Sequence, residues 1–205
     1  TTAQVRALTP TQRAALTADQ SSKLTTAQIA AIETADLVQL SASALGSLGT
    51  AQVQALTAGQ VVALTTDQIA ALTATQVAAL DGSDFALLSA SQLAHLDPSV
   101  IPTLKTAQIA ALTTAQVHAL TTAQVAALTS AQIDALTTAQ MAALTGAQIA
   151  AIETADLAAF DDATMAKLTT AQVQALTTAQ VTALTVDQLL ALTSTQFGAL
   201  TATQV

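Results

Sequence analysis

The sequence predicts an all-α fold: a solenoid, or superhelical coil, of very short helices, each of about two turns, with one helix per eight-residue repeat. Three observations predict it. Every multiple of eight from Leu8 to Leu200 is Leu, except Ile32, Ile152 and Phe160, so 25 positions keep one register without insertion or deletion. A second apolar residue lies three positions earlier, as at Val5, Ile29, Val77, Ile109, Met141 and Val173. A Thr-x-x-Gln tetrad opens each repeat, as in Thr121–Gln124.

The i, i+3 spacing of the apolar pair places both residues on one face of a helix and excludes strand alternation. One continuous helix is disfavoured. Eight residues at about 100° each advance about 800°, which is about 80° past two turns, so a Leu stripe would drift around the helix. Coiled coils need apolar periods nearer 7 or 11.

The tetrad supplies the start of each helix. In the capping box S/T-x-x-E/Q, the first side chain accepts from the N3 amide and the N3 side chain reaches back to the cap amide. The first octad position holds Thr at 17 of 26 sites, and Ser, Asp or Gly fills six more, so 23 sites are competent caps. Gln holds 20 of 26 fourth positions. Pro10 and Pro98 fall at the first helical position, which tolerates proline. Glu33, Lys105 and Glu153 are poor caps and predict less regular starts. The fifth and eighth positions are expected to face inward. Ala at the seventh permits close approach. The variable sixth position (Arg6, Gln54, His118, Asp134, Gln174, Thr182) is expected to face solvent.

One octad cannot stand alone, because ordering eight residues costs more than burying one Leu and one Val returns. Neighbouring octads must cover each other, which is the logic of a solenoid. The chain therefore reads as a single octapeptide-repeat array over residues 1–205, irregular around 81–105, where Val100 replaces Gln and Pro102 falls inside an expected helix. AQIAAIETADL occurs at Ala27–Leu37 and again at Ala147–Leu157, so 15 octads form a longer unit. The chain begins TTAQV and ends TATQV, in the same pattern, and reads as an excerpt of a longer array.

Composition sets the function classes. The net charge is −8 with five basic residues, which cannot neutralise a phosphate backbone, so no nucleic-acid partner is expected. Residues 106–133 lack Asp, Glu, Lys and Arg, but the recurring Gln and Thr are costly in lipid, so no membrane insertion is expected. There is no Cys, hence no disulfide or thiolate site. His95 and His118 lack metal-pair spacing and read as surface residues. Asp81 and Asp161 are cap positions, and Asp84 stands where Gln usually does. With Asp162 they read as capping and surface acids and not as an acid–base or calcium pair. No phosphate-binding loop or nucleophile elbow is present, and Ser and Thr have no positioned base. The expectation is no enzyme, no cofactor, and no catalytic, cofactor-binding or metal site.

Leu8–Leu16, LTPTQRAAL, is similar to the first helix of TAL-effector DNA-binding repeats. The similarity covers one helix start, and the longer repeat, base-reading residues and basic surface are missing. It implies shared capping chemistry and no DNA site. Across the whole chain, tandem octads such as Leu120–Leu128, LTTAQVAAL, resemble tracts of very large secreted bacterial exoproteins of haem-utilisation or adhesion type. This resemblance implies a structural segment located extracellularly or on the cell surface, and no haem site. The leading expectation is a stalk, spacer or self-assembling fibre. Its partners would be other copies joined end to end, or neighbouring domains of the same polypeptide. The alternative is a module of adhesin or ice-binding type that presents a regular Thr/Gln face to surfaces or glycans.

Overall fold

The computed structural model describes residues 1–204. It contains 24 α-helices of four to six residues and one 3₁₀ segment, one element per octad, and no strand among the described residues. Two compact units divide the chain, residues 1–104 and residues from 105 onward.

Each helix begins where the cap predicts. At Thr65, the side chain accepts from the Gln68 amide at 3.2 Å, and Gln68 Oε1 accepts from the Thr65 amide at 3.0 Å. The cap residue is extended (φ −74°, ψ 161°), so the chain enters the helix at a sharp angle. Glu33 and Glu153 make no side-chain cap bond, and neither does Lys105, whose amide still donates to Gln108 Oε1 at 2.9 Å. These starts lose side-chain capping but keep the extended entry. The Glu33 helix, Thr34–Leu37, shrinks to four residues.

The helices are shorter than the two turns expected. The chain must turn back at the eighth residue so that the next cap can be extended. Leu80 adopts φ −60°, ψ 138°, and its amide closes the last turn onto the Val77 carbonyl at 3.2 Å. That i→i+3 closure tightens the helix end before the chain departs.

Within each unit, every helix packs on the helix three octads away. Ala18–Ser22 packs on Ala42–Gly46, and Ala42–Gly46 on Thr66–Ala70. Thr122–Ala126 packs on Gly146–Ala151, and Gly146–Ala151 on Thr170–Ala175. Small residues permit the approach: a Cβ on Gly46 would lie 2.8 Å from the Ala71 carbonyl oxygen.

The core is the expected pair of positions. Ile29, Val61, Ile69, Val117, Val125, Ile133 and Val173 are fully buried at the fifth position, and Leu56, Leu80, Leu128, Leu136 and Leu176 are buried at the eighth. Arg13 and Ser21 occupy fifth positions and are also buried. No described sixth-position residue is buried, although Ala126 and Asp134 are half-buried. The irregular stretch is narrower than residues 81–105. Gly82–Phe85 and Ala90–Ala94 are ordinary helices, and only Pro98–Thr103 becomes 3₁₀. Its cap Asp97 accepts from the Ser99 amide, two residues on, rather than from N3.

Candidate functional site: the glutamine ladder

The fourth-position Gln does more than cap. From Gln52 onward it is buried wherever it occurs. Its Oε1 caps its own helix, which aims Nε2 at the preceding turn of the coil. Gln60 Nε2 donates to the carbonyls of Ile29 at 2.8 Å and Ile32 at 2.7 Å. Gln68 donates to Leu37 and Leu40, Gln172 to Met141 and Leu144, and Gln188 to Leu157 and Phe160. The acceptors are always the fifth and eighth carbonyls of the octad four repeats earlier. These carbonyls stand at helix ends, where acceptors lack intrahelical partners. One amide thus satisfies a helix start through its oxygen and a helix end in the turn below through its nitrogen.

Helices pack three octads apart and glutamines reach four, so one turn of the coil holds between three and four octads. Neighbours at +3 and +4 are also the neighbours of a residue on an α-helix, here with an octad as the unit.

Where Gln is missing, other residues take over its bonds. Thr164 cannot reach the earlier turn, and Lys167 Nζ donates instead to the carbonyls of Leu136 at 2.8 Å and Asp134 at 3.1 Å. Asp36 replaces Gln at its site and pairs with Arg13, whose guanidinium also donates to the Leu8 carbonyl, the one a Gln at position 36 would serve. Ala44 leaves the reach to Ser47, whose hydroxyl donates to the Ala18 carbonyl at 2.8 Å. Asp156 accepts from the Ser130 amide at 3.3 Å.

Asp84 stands opposite the carbonyls of Val53 and Leu56 in the same register and has no proton to donate when ionised. Burial, and then the charge of Asp81, raises its pKa above the usual carboxylate value. Asp81 caps its helix through the Asp84 amide at 2.8 Å and accepts from the Ser83 hydroxyl at 2.7 Å. Asp161 caps through the Thr164 amide at 2.7 Å, which holds its carboxyl below the usual range. Ser99, by side chain and amide, lowers Asp97 in the same way.

The histidines lie far from any such carboxylate pair. His95 Nδ1 bonds the Ser91 carbonyl of its own helix at 2.7 Å. His118 Nδ1 bonds the Ala143 carbonyl on the adjoining turn at 3.0 Å. Each carbonyl can only accept, so both rings carry the proton on Nδ1. Among the described residues, no group of three His, Cys, Asp or Glu is placed to hold a metal ion, and no helix is long and apolar enough to cross a membrane.

This arrangement places side-chain chemistry at the service of architecture, and it defines a repetitive structural protein: a helical solenoid with one octapeptide per helix. A family model for the ALTTAQ repeat matches residues 29–66, 101–130, 118–146 and 149–186, more than half of the chain. The chain belongs to the ALTTAQ repeat family. No curated protein matches it.

Proposed function

We propose that the chain is a structural segment of an extracellular or cell-surface assembly, acting as a stalk, spacer or self-assembling fibre, and that it has no enzymatic role and needs no cofactor. One observation carries this reading: each ladder glutamine makes the same bonds from turn to turn, so load is shared among equivalent contacts. Its partners are further octads, in a second copy or in the same polypeptide, and neither nucleic acid nor the membrane interior. The resemblance to secreted exoprotein tracts supports the location.

A face that binds glycans or ice has exposed Thr114, Thr122, Thr138 and Thr178 in its favour. The buried glutamines are unavailable to such a face. Antibodies against the chain test the main reading. Labelling of intact producing cells or of the culture supernatant supports it, and label confined to the cell interior contradicts it. Loss of surface or glycan binding after Ala replacement of these four Thr would favour the second reading.

A further inference from the structure

The ladder has a direction. Every donor serves carbonyls four octads earlier, so the two edges of the chain present different halves of one contact. Gln4, Gln12 and Gln20 are exposed, and their Oε1 atoms cap Thr1, Thr9 and Thr17 at 2.8–2.9 Å as elsewhere. Their Nε2 groups find no acceptor among the described residues. At the other edge, no described glutamine donates to the carbonyl pairs of Val181 and Leu184, Leu189 and Leu192, or Phe197 and Leu200. Each of these pairs occupies the register that receives Gln elsewhere.

The apolar surface divides in the same way. Phe197 holds an inward position yet is 53% exposed, whereas Val173 in that register is 0% exposed. At the opposite edge, Leu8, Leu16 and Leu24 are half-buried. Charge is compatible with contact. Arg6, Arg13 and Lys23 lie in the first three octads, and Asp187 is the only charged side chain after Thr177.

Building on the fibre reading above, we infer that a second copy of this chain docks head to tail. Gln4, Gln12 and Gln20 of one copy donate to the Val181/Leu184, Leu189/Leu192 and Phe197/Leu200 carbonyls of the other. The surfaces differ and the contact leaves one of each free, so it is heterologous and propagates into a polar filament.

The test compares the 205-residue chain with Q4E/Q12E/Q20E by sedimentation velocity and circular dichroism over a range of concentrations. Glutamate keeps the cap acceptor, removes the donor and aims a carboxylate at carbonyl oxygens. A second variant, Q39E/Q54E/Q174E, adds the same charge at exposed sites outside the ladder. The expected result is concentration-dependent assembly of the unmodified chain and of the second variant. Association of the first variant should be at least ten-fold weaker at unchanged helix content. Equal assembly of all three overturns the ladder contact and leaves the fibre reading standing. An unmodified chain that stays monomeric throughout overturns both and leaves a covalent spacer.

Discussion

Gln60 Nε2 lies 2.7 Å from the carbonyl oxygen of Ile32, 28 residues earlier in the chain and in the adjoining turn of the coil. That bond and its repeats tie each helix start to a helix end elsewhere, so the energetics of the coil should respond to single atoms of this side chain.

Replacing Gln60 with Ala removes a cap acceptor and leaves the Ile29 and Ile32 carbonyls without their donor. The expected loss is about 2–4 kcal/mol, from about 1–3 kcal/mol per buried polar group left unsatisfied. Gln60→Glu keeps the cap but loses the donor, and burial of its carboxylate favours the protonated form. Its stability should therefore rise as pH falls, because the protonated acid can donate to the carbonyl. Urea denaturation at neutral and mildly acidic pH measures both effects.

At position 84 the natural residue already lacks the donor. Asp84→Gln should stabilise the protein by about 1–3 kcal/mol by restoring bonds to Val53 and Leu56. The pH dependence has a definite sign. The folded pKa of Asp84 is raised, so this residue penalises stability above that pKa and the penalty disappears as pH falls through it. Asp161 acts oppositely. Its pKa is lowered, so its contribution is present above the ordinary Asp value and is lost as pH falls through the depressed one. Asp84→Gln should remove only the first trend, as read from melting temperature across the carboxylate range.

The Arg13–Asp36 pair provides a test by exchange. Arg13→Val alone strands a largely buried carboxylate and should cost about 3–5 kcal/mol. Adding Asp36→Gln rebuilds the ordinary inward residue and the ordinary ladder, and should recover most of that loss. A double-mutant cycle in denaturant reads the coupling.

Lys167 tests whether the donor or the residue matters. Lys167→Ala should destabilise by about 1–3 kcal/mol, because two carbonyls lose a charged donor. Adding Thr164→Gln should restore stability from a different position in the octad. Failure of this rescue would mean that Lys167 acts through something other than the Leu136 and Asp134 carbonyls.

The inward pair can be tested against the sixth position. Leu128→Asp places a carboxylate at a site 2% exposed and should open its turn. Ala142→Asp, on the exposed sixth position of a neighbouring helix, should change stability by less than about 0.5 kcal/mol. Equal losses in the two variants would contradict the assignment of faces.

Helix starts and the inward pair were legible from the sequence because capping and burial are local: Thr121, Gln124, Val125 and Leu128 all act within one octad. The inter-turn role of Gln was not, since it depends on which octads meet, and no spacing within an octad encodes that. A signal was nevertheless present. Glu caps as well as Gln, yet no fourth position holds Glu. Only the need for an amide donor accounts for that exclusion. The buried Arg13 was equally hidden, because its partner Asp36 lies 23 residues away and looks like a substituted cap. Pro102 marked the 3₁₀ octad correctly, but its effect stops within that octad because the flanking caps Ser89 and Asp97 still hold.

The three-octad neighbour relation is the central claim, and a cysteine pair tests it most directly in a chain with no native Cys. A Cβ at Gly146 would lie 2.8 Å from the Ala175 Cβ, so G146C/A175C needs only a small shift to reach disulfide geometry. The control, G146C/A183C, moves the second cysteine one octad further, to the same position of the next repeat. Under mild oxidation the predicted result is rapid intramolecular crosslinking of 146 to 175 and little of 146 to 183. Crosslinking of 146 to 183 in preference, or of neither pair in the folded chain, would contradict the coil described.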